Sequence, residues 1–229
     1  MKTLGLIGGI SWVSTVDYYK LINQGVNEQL GGLNFSQCII YSFNYADIKK
    51  NNDNNDWDNT FSLLLKACNH LQSCGAEAIV LCAATMHLIA DRLAADINIP
   101  LIHIATATAA AIEKKQQQKV ALLGTRFTME QDFFKTKLHE KGIEAIIPGE
   151  EDRAFIHQSI FEELGKGIVV EETKKRYLSI IQTLIDNGAE GVILGCTEIP
   201  LIVKPWDIQV PVYDTALLHA KAAVEFALS

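Results

Sequence analysis

With 229 residues, 48% hydrophobic and 21% charged, the chain has the make-up of a folded globule of one or two α/β lobes and excludes a disordered one. A formal charge of −7 argues against nucleic acid as the partner, yet permits a small anionic substrate held by local positive potential. No apolar run reaches membrane-spanning length and the first nine residues lack a small-residue cleavage pattern, so a cytoplasmic protein without membrane contact is expected.

In chain order, apolar strand-like runs at 3–8, 37–42, 77–82, 100–103, 119–123, 143–147, 190–195 and 210–213 alternate with amphipathic segments. The segments are clearest at 14–29, 59–74, 85–96, 104–115, 128–141, 153–165, 170–187 and 214–228. Continuous apolar strands followed by helices predict buried parallel sheets. Residues 44–58 form the one long polar stretch and predict a lid or mobile loop, in which Lys49 and Lys50 are solvated or reach over an anionic side chain. No Pro-rich or Ser-rich linker separates two parts, so any two lobes are closely joined.

The chain also repeats itself. Cys74-Gly75-Ala76-Glu77-Ala78-Ile79-Val80-Leu81-Cys82-Ala83-Ala84 aligns without gaps on Asn187-Gly188-Ala189-Glu190-Gly191-Val192-Ile193-Leu194-Gly195-Cys196-Thr197, which puts Ala83 opposite Cys196. Leu6-Ile7-Gly8-Gly9 resembles Leu122-Leu123-Gly124-Thr125, and Pro100-Leu101-Ile102-His103 resembles Pro211-Val212-Tyr213-Asp214, in the same order and at similar spacing. Duplication predicts an α/β fold of two pseudo-symmetric lobes, each a parallel sheet flanked by helices, with the active site in the cleft between them. Residues 1–98 with 212–229 make the first lobe and 99–211 the second.

Ligands of open parallel sheets bind beyond the carboxyl ends of the strands. Three such ends combine small residues, hydroxyls and helix starts suited to a carboxylate: Gly9, Ile10 and Ser11, then Ala83, Ala84 and Thr85, then Cys196, Thr197 and Glu198. Thr125 and Thr128 follow another strand and can cap a helix while holding a carboxylate. Five cysteines without a CxxC pair point to a reducing compartment. Cys196, where a strand becomes a helix, is the expected reactive thiol, its pKa lowered by the helix start. Cys82 points to the opposite face from Ala83 and belongs to the core; Cys38, Cys68 and Cys74 are structural. Gly5-x-x-Gly8-Gly9 lacks dinucleotide-loop spacing, and the six histidines lack metal-ligand spacing. His87 and His103 read as helix-start and core polar groups.

Lys2-Thr3-Leu4-Gly5-Leu6-Ile7-Gly8-Gly9-Ile10-Ser11-Trp12 with Ser14-Thr15, Thr85-Met86-His87, Leu122-Leu123-Gly124-Thr125 and Gly195-Cys196-Thr197-Glu198 together resemble the aspartate/glutamate racemases over essentially the whole chain. The histidine spacing predicts no metal site, and the resemblance implies no cofactor, a homodimer, an acidic amino acid as substrate, and two cysteines facing each other across its Cα. Cys196 matches the second cysteine, Thr85 the threonine of the first motif, Thr125 and Thr128 the carboxylate contacts, and Gly9 to Ser11 the first loop. The family's Cys-Asn-Thr reads Ala83-Ala84-Thr85 here, so the first base and the asparagine are missing. One immobile base does not easily serve both faces of Cα. The open readings are a racemase that borrows a water, a chain altered at this pair, a one-thiol decarboxylase or isomerase of the same superfamily, and a binding homologue.

Overall fold

A computed structural model describes residues 1–229. The chain runs β1 (Leu4–Gly8), α1 (Trp12–Leu30), β2 (Cys38–Ser42), α2 (Tyr45–Asp53), α3 (Trp57–Ser73), β3 (Ala78–Leu81), a 3-10 helix (Ala84–Ile89), α4 (Ala90–Asp96) and β4 (Leu101–Ile102). It continues through α5 (Ile104–Glu113), β5 (Lys119–Leu123), α6 (Arg126–Glu130), α7 (Asp132–His139), β6 (Glu144–Ile146), α8 (Glu150–Glu162) and α9 (Glu171–Asp186). It ends with β7 (Val192–Leu194), α10 (Ile199–Ile202), β8 (Val212–Asp214) and α11 (Thr215–Leu228). Two compact units result: Met1–His103 with His219–Ser229, and Ile104–Leu218. No helix is long and apolar enough to cross a membrane.

The first unit is a parallel sheet in the order β2-β1-β3-β4, with Ile7 opposite both Tyr41 and Leu81. Its central strands β1 and β3 are buried along their length, which explains their unbroken apolar sequences: both faces are covered. Ile7, Ile79 and Leu81 form one core with Leu64, Ala67, Cys68 and Leu71, the inward face of α3 at helical spacing. Helix α1 turns Tyr18, Ile22 and Val26 inward. A Cβ on Gly25 would lie 3.0 Å from a Val224 methyl, so the glycine permits the close approach of α1 and α11.

The second unit repeats this plan as β6-β5-β7-β8, again all parallel. Its core joins Leu123, Val192 and Leu194 to Ile156 and Ile160 of α8 and Tyr177 and Ile181 of α9. The sequence repeat is matched by backbone devices. Gly75 (φ 96°) and Gly188 (φ 93°) both take the left-handed conformation just beyond α3 and α9, where a side chain would be strained. Glu77 accepts from the Thr3 N–H at 2.7 Å, and Glu190 accepts from the Gln118 N–H at 2.6 Å and the Lys119 N–H at 3.2 Å. Those donors hold the Glu190 carboxyl below its ordinary value. Ile79 N–H donates to Pro100 and Val192 N–H to Pro211, tying each third strand of the order to its fourth.

All eight expected strands are present, with ends moved by one or two residues. Three expectations, one of a loop and two of helices, need correction. The polar stretch 44–58 is not a loop: Tyr45–Asp53 is helical, anchored by buried Ile48 and by a Lys49–Asp53 ion pair one turn apart, and α3 begins at Trp57. The segment 85–96 starts as a 3-10 helix and becomes α-helical only at Ala90. The segment 128–141 breaks at Gln131, which is extended (φ −79°, ψ 159°) between α6 and α7.

Ile7 and Leu123 are fully buried at matching places in the two units. Each truncated to alanine should cost about 2–5 kcal/mol, read as a lower midpoint in urea unfolding followed by circular dichroism. A cost well under 1 kcal/mol at either position would contradict the packing described.

Candidate active site

In each sheet one connection leaves the first strand in one direction and the chain returns on its other side, so a crevice opens between the carboxyl ends of β1 and β3, and between those of β5 and β7. The candidate residues gather there in two groups, one at the strand ends of each unit.

In the first unit the loop Gly9–Ser11 leaves β1. A Cβ on Gly8 would collide with a Thr15 methyl, and Gly9 has φ 79° with the Phe43 carbonyl where its Cβ would stand. Neither place accepts a side chain. Ser11 caps α1, its hydroxyl accepting from the Ser14 N–H at 3.3 Å. Thr15 Oγ1 accepts from the Gly9 N–H at 2.9 Å and donates to the Ser11 carbonyl at 2.9 Å. Ser14 Oγ donates to the Cys82 carbonyl at 2.7 Å, tying α1 to the end of β3, where Ala83, Ala84 and Thr85 are partly exposed. Gly9, Ile10, Ser11, Ala83, Ala84 and Thr85 therefore lie along one edge of one sheet. Cys82 is buried in the core, and burial pushes its thiol up.

In the second unit Thr125 caps α6, accepting from the Thr128 N–H at 3.4 Å, and its hydroxyl lies 3.3 Å from that of Thr128. A Cβ on Gly195 would sit 2.9 Å from a Thr128 methyl and 2.7 Å from the Leu123 carbonyl, so glycine lets the end of β7 lie against β5 and α6. This brings Thr128 against Gly195, the residue before Cys196. The Cys196 Sγ donates to Glu198 Oε2 at 2.8 Å, and the Thr197 hydroxyl donates to the same oxygen at 2.8 Å.

This geometry corrects the expectation for the thiol. Cys196 does not open a helix: α10 starts at Ile199 and is four residues long. Burial, then the charge of Glu198 and its hydrogen bond, raise the Cys196 pKa well above the ordinary thiol value. The backbone N–H groups of Glu198 and Thr197 pull the other way and do not prevail. The free protein thus holds a thiol whose proton points at a carboxylate. The pair can release a proton from sulfur or move it to oxygen.

Sequence reasoning did not single out Ser14 and Thr15 as holders of the first unit's strand ends. Their signal is the run Ser11, Ser14, Thr15, Tyr18, which shares one helical face. It also passed over the charged rim of the second. Arg126, next to Thr125, reaches Glu130 at 3.6 Å; Glu130 is shared with Arg153 at 2.9 Å. His157 Nδ1 accepts from the Arg126 N–H at 3.2 Å, and burial, then the Arg126 charge, lower its pKa. Lys49, by contrast, is spent on Asp53.

A sequence profile of the Asp/Glu/hydantoin racemase family matches residues 7–223. The chain belongs to that family. Among solved structures it is similar to a candidate Asp/Glu racemase from Yersinia pestis, with 46% identity, TM-score 0.96 and complete coverage of both chains. It is also similar to an aspartate racemase homologue from Pyrococcus horikoshii, with 36% identity, TM-score 0.89 and complete coverage of both. A glutamate racemase of Persephonella marina is 26% identical over 182 residues, 76% of this chain and 68% of that protein. Membership of the racemase family accounts for the two-sheet plan.

The raised thiol sets an expected order of reactivity. At neutral pH iodoacetamide should modify exposed Cys74 before Cys196. Glu198→Gln removes the neighbouring charge and should speed Cys196 alkylation roughly threefold to tenfold, followed by mass spectrometry of the peptides. An unchanged rate would remove Glu198 as a contributor to the shift.

Proposed function

We propose that this racemase-family protein is a cofactor-independent enzyme that exchanges the Cα proton of an acidic amino acid, with Cys196 as acid/base on one face. The observation that carries this reading is the 2.8 Å contact from Cys196 Sγ to Glu198 Oε2. The carboxylate accepts the sulfur's proton, so a thiolate forms in place when the substrate's ammonium group arrives and offsets the charge. The thiolate removes the Cα proton. Thr85, Thr125, Thr128, Thr197 and the Gly9–Ser11 backbone hold the carboxylates and the enediolate that develops.

The opposite face sets the outcome. Ala83 carries a methyl group and Ala84 no amide, so this pair supplies no side-chain base. Return of the proton from sulfur restores the original configuration; inversion needs a water on the other side. The same pair favours a second reading, a one-thiol decarboxylase or isomerase of the superfamily, in which the thiol protonates a planar intermediate from one side.

Incubation of L- and D-aspartate and L- and D-glutamate in deuterated water decides between these. The expected result is deuterium at Cα of one enantiomer with slow inversion, lost in Cys196→Ser. Binding without exchange would overturn the enzymatic reading. Ala83→Cys with Ala84→Asn should raise inversion by about a hundredfold to ten-thousandfold, the usual worth of a positioned acid/base.

We further assign the chain to a homodimer in a reducing compartment such as the cytoplasm. Its five cysteines are unpaired. The exposed face of α1 carries Trp12, Val13, Val16 and Tyr19, an apolar stripe suited to a second copy. Val16→Glu with Tyr19→Glu should leave a monomer in sedimentation; a wild-type monomer at micromolar concentration would rule the assignment out.

A further inference from the structure

The turn that follows β3 has no polar side chain at Ala83 or Ala84, so its backbone is held from behind. Besides Ser14, the holder is His87, whose Nδ1 lies 3.3 Å from the Ala83 carbonyl, an acceptor that also receives the Met86 N–H at 3.2 Å. A carbonyl only accepts, so Nδ1 carries the ring proton and Nε2 the bare lone pair. That Nε2 is buried and has no hydrogen-bond partner.

The rings of His103 and His219 stand edge-on to His87 at centroid distances of 4.8 Å and 5.2 Å. The nitrogens of His219 are committed: the Tyr18 hydroxyl donates to Nδ1 at 2.8 Å and Nε2 donates to the Ile102 carbonyl at 2.7 Å. The imidazoles do not converge as a metal-ligand set. A proton on His87 Nε2 would be a buried cation among imidazoles with no acceptor. Burial, then the charges of His103 and His219, keep the His87 pKa well below the ordinary imidazole value, and burial chiefly lowers that of His219 to about 4. An apolar side chain would fill this volume without stranding a nitrogen, so the imidazole needs a reason, and the Ala83 carbonyl is the contact that supplies one.

We propose that His87 is a positioning residue, its ring packed against His103 and His219, whose Nδ1–H fixes the Ala83 carbonyl and so aims Ala84 and Thr85 at the ligand's carboxylate. This rests on the proposed function for the identity of the ligand, but not for the state of the ring or of the turn.

The test compares two amides with the wild type. In His87→Asn the side-chain amide stands where Nδ1 does, whereas His87→Gln carries its amide at the place of Nε2. Nitrogen NMR of the wild-type ring should find the Nδ1–H tautomer with no titration between about pH 8 and pH 5.5. L-aspartate affinity by calorimetry should fall about tenfold or more in His87→Gln and recover to within about threefold in His87→Asn, with similar losses of thermal stability in both. A structural role alone would weaken both variants alike, and that result overturns the proposal. So does an Nε2–H tautomer or titration near the ordinary imidazole value. If the wild type binds no dicarboxylic amino acid, the proposed function falls, and the amide shifts of Ala84 and Thr85 decide the inference alone. Movement in His87→Gln but not in His87→Asn upholds it; equal movement rejects it.

Discussion

Three glycines at strand ends set the closeness on which the candidate residues of each unit depend. At Gly8, Gly124 and Gly195 the space for a Cβ is taken by Thr15 or Thr128. A threonine on the following helix can then pack against the end of a strand, and its hydroxyl reaches backbone that would otherwise be bare: Thr15 serves Gly9 and Ser11, and Thr128 lies against Thr125. Enlarging any of these glycines moves the helix start away from the strand, and with it the hydroxyls offered to a ligand. The sheet order creates the crevice, and the glycine–threonine contact fixes what lines it.

Much of the fold was legible because two signals agreed. Apolar runs such as Leu4–Gly8 and Ala78–Leu81 are buried on both faces, so their sequences lack the alternation of a half-exposed strand. The repeat was legible because it preserves backbone duties as well as hydrophobicity: Glu77 and Glu190 both reach N–H groups at the start of a neighbouring strand. What misled was polarity without periodicity. Tyr45–Asp53 buries only Ile48, so one residue carries the core signal, and helix formation shows only in local contacts such as Lys49 with Asp53. The break at Gln131 was equally hidden, since α6 and α7 each bury residues at helical spacing and the interruption lies in the backbone.

The candidate site was legible as positions and less so as chemistry. Cys196, Thr197 and Glu198 stand at a strand end, as the sequence indicates. The pKa of the thiol was misread because a strand end near a helix suggests a dipole, while the turn between Cys196 and α10 keeps the sulfur off the helix start. There burial raises the thiol most, and a carboxylate 2.8 Å from the sulfur adds to it, so that together they outweigh any short helix. Which side chain faces which in a turn is not periodic, so sequence spacing carries no signal for it. The surroundings of His87 were illegible for a different reason: they assemble from α1, the end of β4 and α11, distant in sequence and joined only by the fold.

The two units share one scaffold and differ in what it presents. Both hold their strand ends with hydroxyls and N–H groups, which suit an anion whether or not chemistry follows. Only the second adds a thiol and a carboxylate in proton-transfer contact. Losing acid/base side chains from one copy of a duplicated scaffold need not disturb the fold, because Ala83 and Ala84 are partly exposed and the turn is held through its carbonyls by Ser14 and His87. In the proposed reading, the binding geometry of a two-base racemase survives while its symmetry of proton transfer does not. The stereochemical result then rests on the relative rates at which sulfur and water reprotonate the enediolate. Sulfur is held beside the substrate while water must enter and be oriented, so retention is the faster path, and inversion measures how often water arrives first.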